Sequence, residues 1–143
     1  MAWGRDHKLD QLANVRLFSA CNRKELGLIG KASDELEVPA GKILCEEGRP
    51  GFEFYLILDG TAAVKRDGHK VAELGPGASF GELALLTRLP RNATVEATSP
   101  MTVLVLGQRE FSGLLDEVPG IAHKLLSSLA QRLYEADTRS TSH

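Results

Sequence analysis

Very little in this sequence could build a covalent or metal-held scaffold. Its two cysteines, Cys21 and Cys45, are too few for a disulfide framework or a four-ligand metal site, so both are expected to be structural or indifferent thiols. The histidines are scattered: His7, His69, His123 and His143 fall in a helix lead-in, a hairpin, a helix and a tail, and no His-X-His pair puts two imidazoles on one strand face. Metal-dependent chemistry of the kind small β-barrels can carry is not expected, and the chain reads as a non-enzyme. No apolar run approaches the roughly 18 residues of a spanning helix. Met1 to Asp10 lacks the apolar core of a secretory signal, so a cytoplasmic protein without membrane contact is expected. An excess of one charge is missing too. Seventeen Lys and Arg against 19 Asp and Glu leave a net charge of -2, with no basic footprint for nucleic acid.

What is plentiful is the turn former glycine, 14 residues with 6 prolines beside a 43% hydrophobic content, which suits one domain with a real core. Helices are expected over 8–33. Leu9, Leu12, Val15 and Leu17-Phe18 recur at three- and four-residue steps, and Asn22 can cap a second helix with Glu25 in capping-box register. From Leu36 the period changes to short apolar runs cut by Pro39-Ala40-Gly41, Gly48-Arg49-Pro50-Gly51, Asp59-Gly60, Asp67-Gly68 and Gly75-Pro76-Gly77. A β-barrel or jelly roll over 34–107 is expected. The Asp-Gly pairs predict hairpins joining Phe54–Leu58, Thr61–Arg66 and His69–Leu74, and Ser99-Pro100-Met101 is expected to join a second pair, Thr94–Thr98 and Thr102–Leu106. Helices return over 108–138: Phe111, Leu114 and Leu115 share a face, Pro119 opens the next helix, and Ile121, Leu125, Leu129 and Leu133 form a stripe for barrel packing or a homodimer. The polar end, Thr138 to His143, is expected to fray.

The segment Phe80 to Val95 carries the chemistry. Gly81 lets backbone approach a ligand, and a short helix opening there would aim the amides of Leu83 and Ala84 at an anion. Arg91 lies one helical turn and a loop further on, close enough to fold back on the same anion with a planar, two-pronged donor. Glu82 beside such a site needs a task of its own, and accepting from a ribose hydroxyl is one. By spacing alone, Glu82 and Arg91 could equally be a surface pair.

The stretch F-G-E-L-A-L-L followed by P-R-N-A-T-V resembles the phosphate-binding cassette of the cyclic-nucleotide-binding domain family, of the catabolite-activator and protein kinase A regulatory-subunit type. The resemblance extends over Gly41-Lys42 to Glu47-Gly48, Tyr55 to Gly60 and Leu74 to Gly77, covering roughly Leu12 to Tyr134. It implies a mainly β domain with flanking α, a double-stranded β-helix with N-terminal helices and C-terminal hinge and lid helices, its cassette at 80–95. It further implies that Gly81 and Glu82 meet the ribose, that the Leu83 and Ala84 amides and Arg91 hold the cyclic phosphate, and that Ala93 contributes backbone. Asn92 departs from the small residue or Ser or Thr of many relatives, which leaves the base selectivity open. Cyclic AMP is the expected ligand, cyclic GMP the alternative, and no cofactor is implied. Purine contacts are expected from Val71, Ala72, Leu74, Leu133 and Tyr134, with Asp137 behind them. Three readings stay open: a sensor acting on a protein effector in trans, a docking or homodimerisation module without ligand, and the sensing half of a transcription regulator. The six residues after Asp137 are too few for a DNA-reading helix pair, so DNA binding by this chain is not expected.

Overall fold

The computed structural model describes residues 4–141. Helix α1 (Arg5–Ala13) and a 3-10 turn (Arg16–Phe18) lead into α2 (Arg23–Lys31). Asn22 caps α2 as its spacing predicts: its side chain accepts from the Glu25 amide, and the Glu25 carboxylate accepts from the Asn22 amide. Eight strands follow, β1 (Asp34–Val38), β2 (Ile43–Cys45), β3 (Glu53–Asp59), β4 (Ala62–Arg66), β5 (His69–Leu74), β6 (Ser79–Phe80), β7 (Thr94–Ala97) and β8 (Met101–Gly107). The chain closes with α3 (Gln108–Glu117) and α4 (Pro119–Thr141). Where fraying was expected from Thr138, α4 continues to Thr141, one uninterrupted helix from Pro119; Ser142 and His143 lie outside the described residues.

The strands form two antiparallel four-stranded sheets, ordered β1-β8-β3-β6 and β2-β7-β4-β5, the jelly roll that the turn spacing predicts. Two of the three expected strand connections are corrected. Asp67-Gly68 does close a hairpin, β4 to β5, with φ of 51° and 80° at its two central residues. Asp59-Gly60 instead carries the chain from one sheet to the other, because β3 pairs with β6 and β8 while β4 pairs with β5 and β7. The Ser99–Met101 connection crosses the same way, between β7 and β8. The two crossings lock together: the Thr98 amide donates to the Thr61 carbonyl, and the Thr61 amide donates to Ser99 Oγ at 2.9 Å. At Gly60, φ is 92° and a Cβ would lie 2.4 Å from the Pro100 carbonyl oxygen, so this corner requires glycine.

Strand β3 explains why one domain has two cores. Its run Phe54 to Leu58 is buried on both faces. Phe54, Leu56 and Leu58 pack with Phe18, Ile29, Phe111 and Ile121 under the helices, whereas Tyr55 and Ile57 pack with Val95, Val103 and Val105 inside the barrel. Phe18 meets Phe54 edge-on at 5.7 Å and Phe111 at 6.0 Å, which binds the N-terminal helices and α3 to the same strand. Along α4, Ile121 and Leu125 are buried and Leu129 is partly so, but Leu133 is 64% exposed: a four-residue step drifts around the helix and carries the stripe off the core.

Polar tethers hold α4 to the first helices. Lys124 pairs with Glu25, the Arg16 guanidinium donates to Glu135 at 2.7 Å, and Ser19 meets Ser128 at 3.4 Å. The Lys124 ammonium, followed by the Asn22 amide, holds the Glu25 carboxyl below its ordinary value. A depressed folded value means stability that is present above the unfolded value and lost as the pH falls through the folded one. Glu25→Gln should therefore melt lower than the parent at neutral pH, and the two melting temperatures should converge on acidification below about pH 4, under the ordinary glutamate value. Thermal melts from pH 2.5 to 7 check this, and a gap that does not change with pH would contradict it.

Candidate functional site

The candidate segment begins where β6 ends. Phe80 stacks on Tyr55 with centroids 5.0 Å apart and an 18° interplanar angle, so the segment leaves the barrel from a fixed point. Burial, helped by the neighbouring Glu53 carboxylate, pushes the Tyr55 hydroxyl up, and it donates to Glu53 Oε1 at 3.2 Å as a neutral group. Gly81 then turns the chain with φ 83° and ψ 18° into the expected short helix, a single 3-10 turn, Glu82–Leu85. Leu85 and Ala84 are buried and anchor this turn, while Leu83 and Leu86 are exposed. One expectation is corrected here. The Ala84 amide is not free for an anion, because the tight turn uses it to donate to the Gly81 carbonyl at 3.0 Å.

Arg91 does fold back onto Gly81. Its backbone is pinned first: the Arg91 amide donates to the Arg49 carbonyl and its carbonyl accepts from the Gly48 amide, each at 2.8 Å. The guanidinium then passes between two glycines. A Cβ on Gly51 would lie 1.8 Å from Arg91 Nε, and one on Gly81 would lie 2.5 Å from Arg91 Nη1 and 2.7 Å from the Glu53 carbonyl oxygen. That carbonyl accepts from Arg91 Nη2 at 2.7 Å, which leaves other prongs of the fork beside the Gly81 turn. Glu82 is not Arg91's partner. It pairs at 3.3 Å with Arg132, which reaches down from α4.

A cavity of about 110 Å³ opens here, lined by Arg91, Gly81, Asn92 and Ala93 from the segment and by Cys45, Val64, Arg66, Phe80 and Val95 from the barrel. Asn92 is exposed and its carbonyl accepts from Arg66 Nε at 3.2 Å; Ala93 is buried. Cys45 is buried against the cavity, and burial pushes its thiol up. Of the expected purine contacts, Leu74 packs against the barrel core, whereas Val71 and Ala72 are exposed on β5. Leu133 and Tyr134 are 64% and 68% exposed on α4, and neither borders the cavity. Sequence reasoning did not single out Gly51, the Glu53 carbonyl, Arg66 or Arg132. Only Gly51 left a trace, in the Gly48-Arg49-Pro50-Gly51 turn; the others lie too far along the chain from Arg91 or Glu82 for spacing to connect them.

The fold and site together define a β-barrel in which a glycine turn and an arginine meet at one cavity. The family model of the cyclic nucleotide-binding domain matches residues 35–118. A cyclic nucleotide-gated potassium channel of Mesorhizobium japonicum is 35% identical over 121 residues, which span 85% of this chain and 34% of the channel. The N-terminal domain of a transcriptional regulator from Streptomyces coelicolor superposes with a TM-score of 0.83 at 29% identity, covering 92% of this chain and 95% of that domain. The regulatory domain of Toxoplasma gondii protein kinase A, crystallised with cyclic AMP, gives 0.70 at 32% identity over 77% of this chain and 44% of its own. The chain belongs to the cyclic nucleotide-binding domain family, and it spans about a third or less of the length of the curated relatives it matches.

The two glycines make different demands. Gly51→Ala has to displace the Arg91 side chain and its bond to the Glu53 carbonyl but meets no fixed backbone, and it gains about 0.4–1 kcal/mol from the unfolded chain, so its stability should stay within about 1 kcal/mol of the parent. Gly81→Ala meets a positive φ and an immovable carbonyl, and should lose about 1–3 kcal/mol. Urea unfolding of the two variants checks the order, and equal losses would contradict this account of Gly81.

Proposed function

We propose that this chain is a regulatory sensor, not an enzyme, that binds a cyclic mononucleotide, cyclic AMP in the first place, and passes its occupancy through α4 to a protein effector in trans. The observation that carries the reading is the Arg91 guanidinium held between Gly51 and Gly81, next to Glu82. A cyclic phosphate placed there meets a planar cation and the Leu83 and Ala84 backbone, the Ala84 amide sharing or leaving its bond to Gly81, while Glu82 and Gly81 meet the ribose and Ala93 adds backbone. The relative crystallised with cyclic AMP supports the choice of nucleotide. The cytoplasm is the compartment this role implies.

The movement follows from geometry. A ligand at this cavity has to claim groups that the protein already uses. The contact that stands in the way is Arg132 on Glu82: a ribose hydroxyl taking the carboxylate loosens one tether of α4 and leaves those at Glu25 and Arg16.

A second reading rests on the exposed apolar face of α4. Leu126 and Leu133 are both 64% exposed, with Leu129 between them at three- and four-residue steps, the spacing of a helix-to-helix homodimer. Sedimentation at tens of micromolar should show a dimer that Leu133→Glu dissociates; a monomer at those concentrations removes this reading.

Two measurements test the sensor. By calorimetric titration, Arg91→Ala should weaken cyclic AMP binding by about 30-fold to several thousand-fold, from the roughly 2–5 kcal/mol cost of leaving a buried charge unpaired. Arg91→Lys should fall in between, and Arg88→Ala, whose guanidinium lies 6.0 Å over the Phe52 ring, should change affinity by less than about tenfold. Wild-type affinity in Arg91→Ala would sink the phosphate assignment. By hydrogen exchange, cyclic AMP should alter protection across Ile121 to Tyr134 as well as Gly81 to Ala93, and Arg132→Ala should keep the second response while losing the first. An unchanged α4 response in Arg132→Ala would show that the signal does not run through this pair.

A further inference from the structure

The first two helices enclose a basic cleft that shares no residue with the cassette cavity. Arg5, Lys8 and Leu9 line it from α1, and Gly27, Gly30 and Lys31 line it from α2, around a volume of about 510 Å³. Three cations thus border one concavity on a chain whose net charge is -2. Lys8 pairs with Glu35 of β1 at 2.9 Å. Neither Arg5 nor Lys31 pairs with a carboxylate among the described residues. The two glycines weaken a helix of nine residues, and the packing does not demand them. Neither has a positive φ; a Cβ on Gly27 would meet only the Arg5 guanidinium, 3.0 Å from Nη2, and one on Gly30 would make an ordinary contact with Leu12 at 3.5 Å. What Gly27 provides is room, and the flexible end of Arg5 lies beside it.

A cleft lined by one sign of charge focuses its field and gathers counter-ions. Set against the Glu35 carboxylate, the three cations leave about two positive charges, which a phosphate monoester, at about -1.5 to -2 near pH 7, offsets and a singly charged anion does not. The chemistry of the donors agrees. A guanidinium can span two phosphate oxygens while ammonium groups act as point charges on the third, and the buried Leu9 gives the organic part of a small ester an apolar wall. We infer that the α1–α2 cleft is a second anion site, which takes the phosphate monoester of a small molecule on Arg5, Lys8 and Lys31. It is independent of the cyclic-nucleotide reading, because none of these residues belongs to the cassette.

Amide chemical shifts of the intact chain, titrated with phenyl phosphate and with phenyl sulfate as the singly charged control, test it. Phenyl phosphate should move the amides of Arg5 to Leu9 and of Gly27 to Lys31 and saturate, and phenyl sulfate should bind more weakly. Arg5→Gln and Lys31→Gln should each weaken phenyl phosphate by about three- to tenfold, the scale of one net hydrogen bond. Gly27→Glu keeps the fold in view: it should melt at or above the parent, since glutamate is the better helix former, yet lose the saturable shifts because its carboxylate meets Arg5. Arg91→Ala should leave these shifts as they are, which separates the cleft from the cassette. Parent-like binding in both glutamine variants or in Gly27→Glu, equal affinity for the two probes, or shifts confined to Gly81 to Ala93 would overturn the inference. So would the absence of saturation at tens of millimolar phenyl phosphate. Sedimentation with vesicles containing phosphatidic acid, lost in Arg5→Gln while phenyl phosphate gives no shift, would assign the cleft to a lipid surface and overturn the small-molecule assignment.

Discussion

A guanidinium threaded between two glycines is the constraint around which the site is arranged. Arg91 can occupy that slot only because Gly51 and Gly81 have no side chains and because the Glu53 carbonyl accepts from Nη2. Each of these three points belongs to a different part of the barrel: the loop before β3, β3 itself, and the turn after β6. The slot exists only when the loop before β3 lies across the cassette, which the backbone bonds of Arg91 to Gly48 and Arg49 secure. A charged side chain would ordinarily seek water. Here it is held close to backbone in a part-buried position.

The helices and that slot share strand β3. Strand β3 has one face in the barrel, where Tyr55 supports Phe80, and the other under the helices, where Phe54 meets Phe18. Through Arg132, α4 touches the cassette directly, and through Lys124 it touches the capped end of α2. Glu82 is thus one ion pair away from α4, which is held elsewhere by buried Ile121 and Leu125 and by the Lys124–Glu25 and Arg16–Glu135 pairs. Partly exposed ion pairs contribute little stability each.

Local chemistry made much of this legible. The Asn22–Glu25 capping box, the Asp67-Gly68 hairpin, the Pro119 helix start and the glycine at position 81 all stand as the residues predict, because each depends on contacts a few positions apart. Sequence-local reasoning failed at Asp59-Gly60 and at Ser99–Met101 for the complementary reason. A turn signal says that the chain reverses but not which sheet receives it, and in a jelly roll two adjacent strands can belong to opposite sheets. The free Ala84 amide failed similarly, since choosing a 3-10 turn over an α-helix after Gly81 reassigns that donor.

Family, barrel and cassette were determined by residues close together in the chain: F-G-E-L-A-L-L, P-R-N-A-T-V and the spacing of glycine turns. The partners of those residues were decided by the tertiary structure alone. That Glu82 faces Arg132, that Arg91 lies between Gly51 and Gly81, and that Arg66 bonds to the Asn92 carbonyl are long-range encounters, separated by up to 50 residues of sequence. Each depends on strand register and sheet order, which burial of the two core clusters sets globally and which no local pattern of charges or apolar residues encodes.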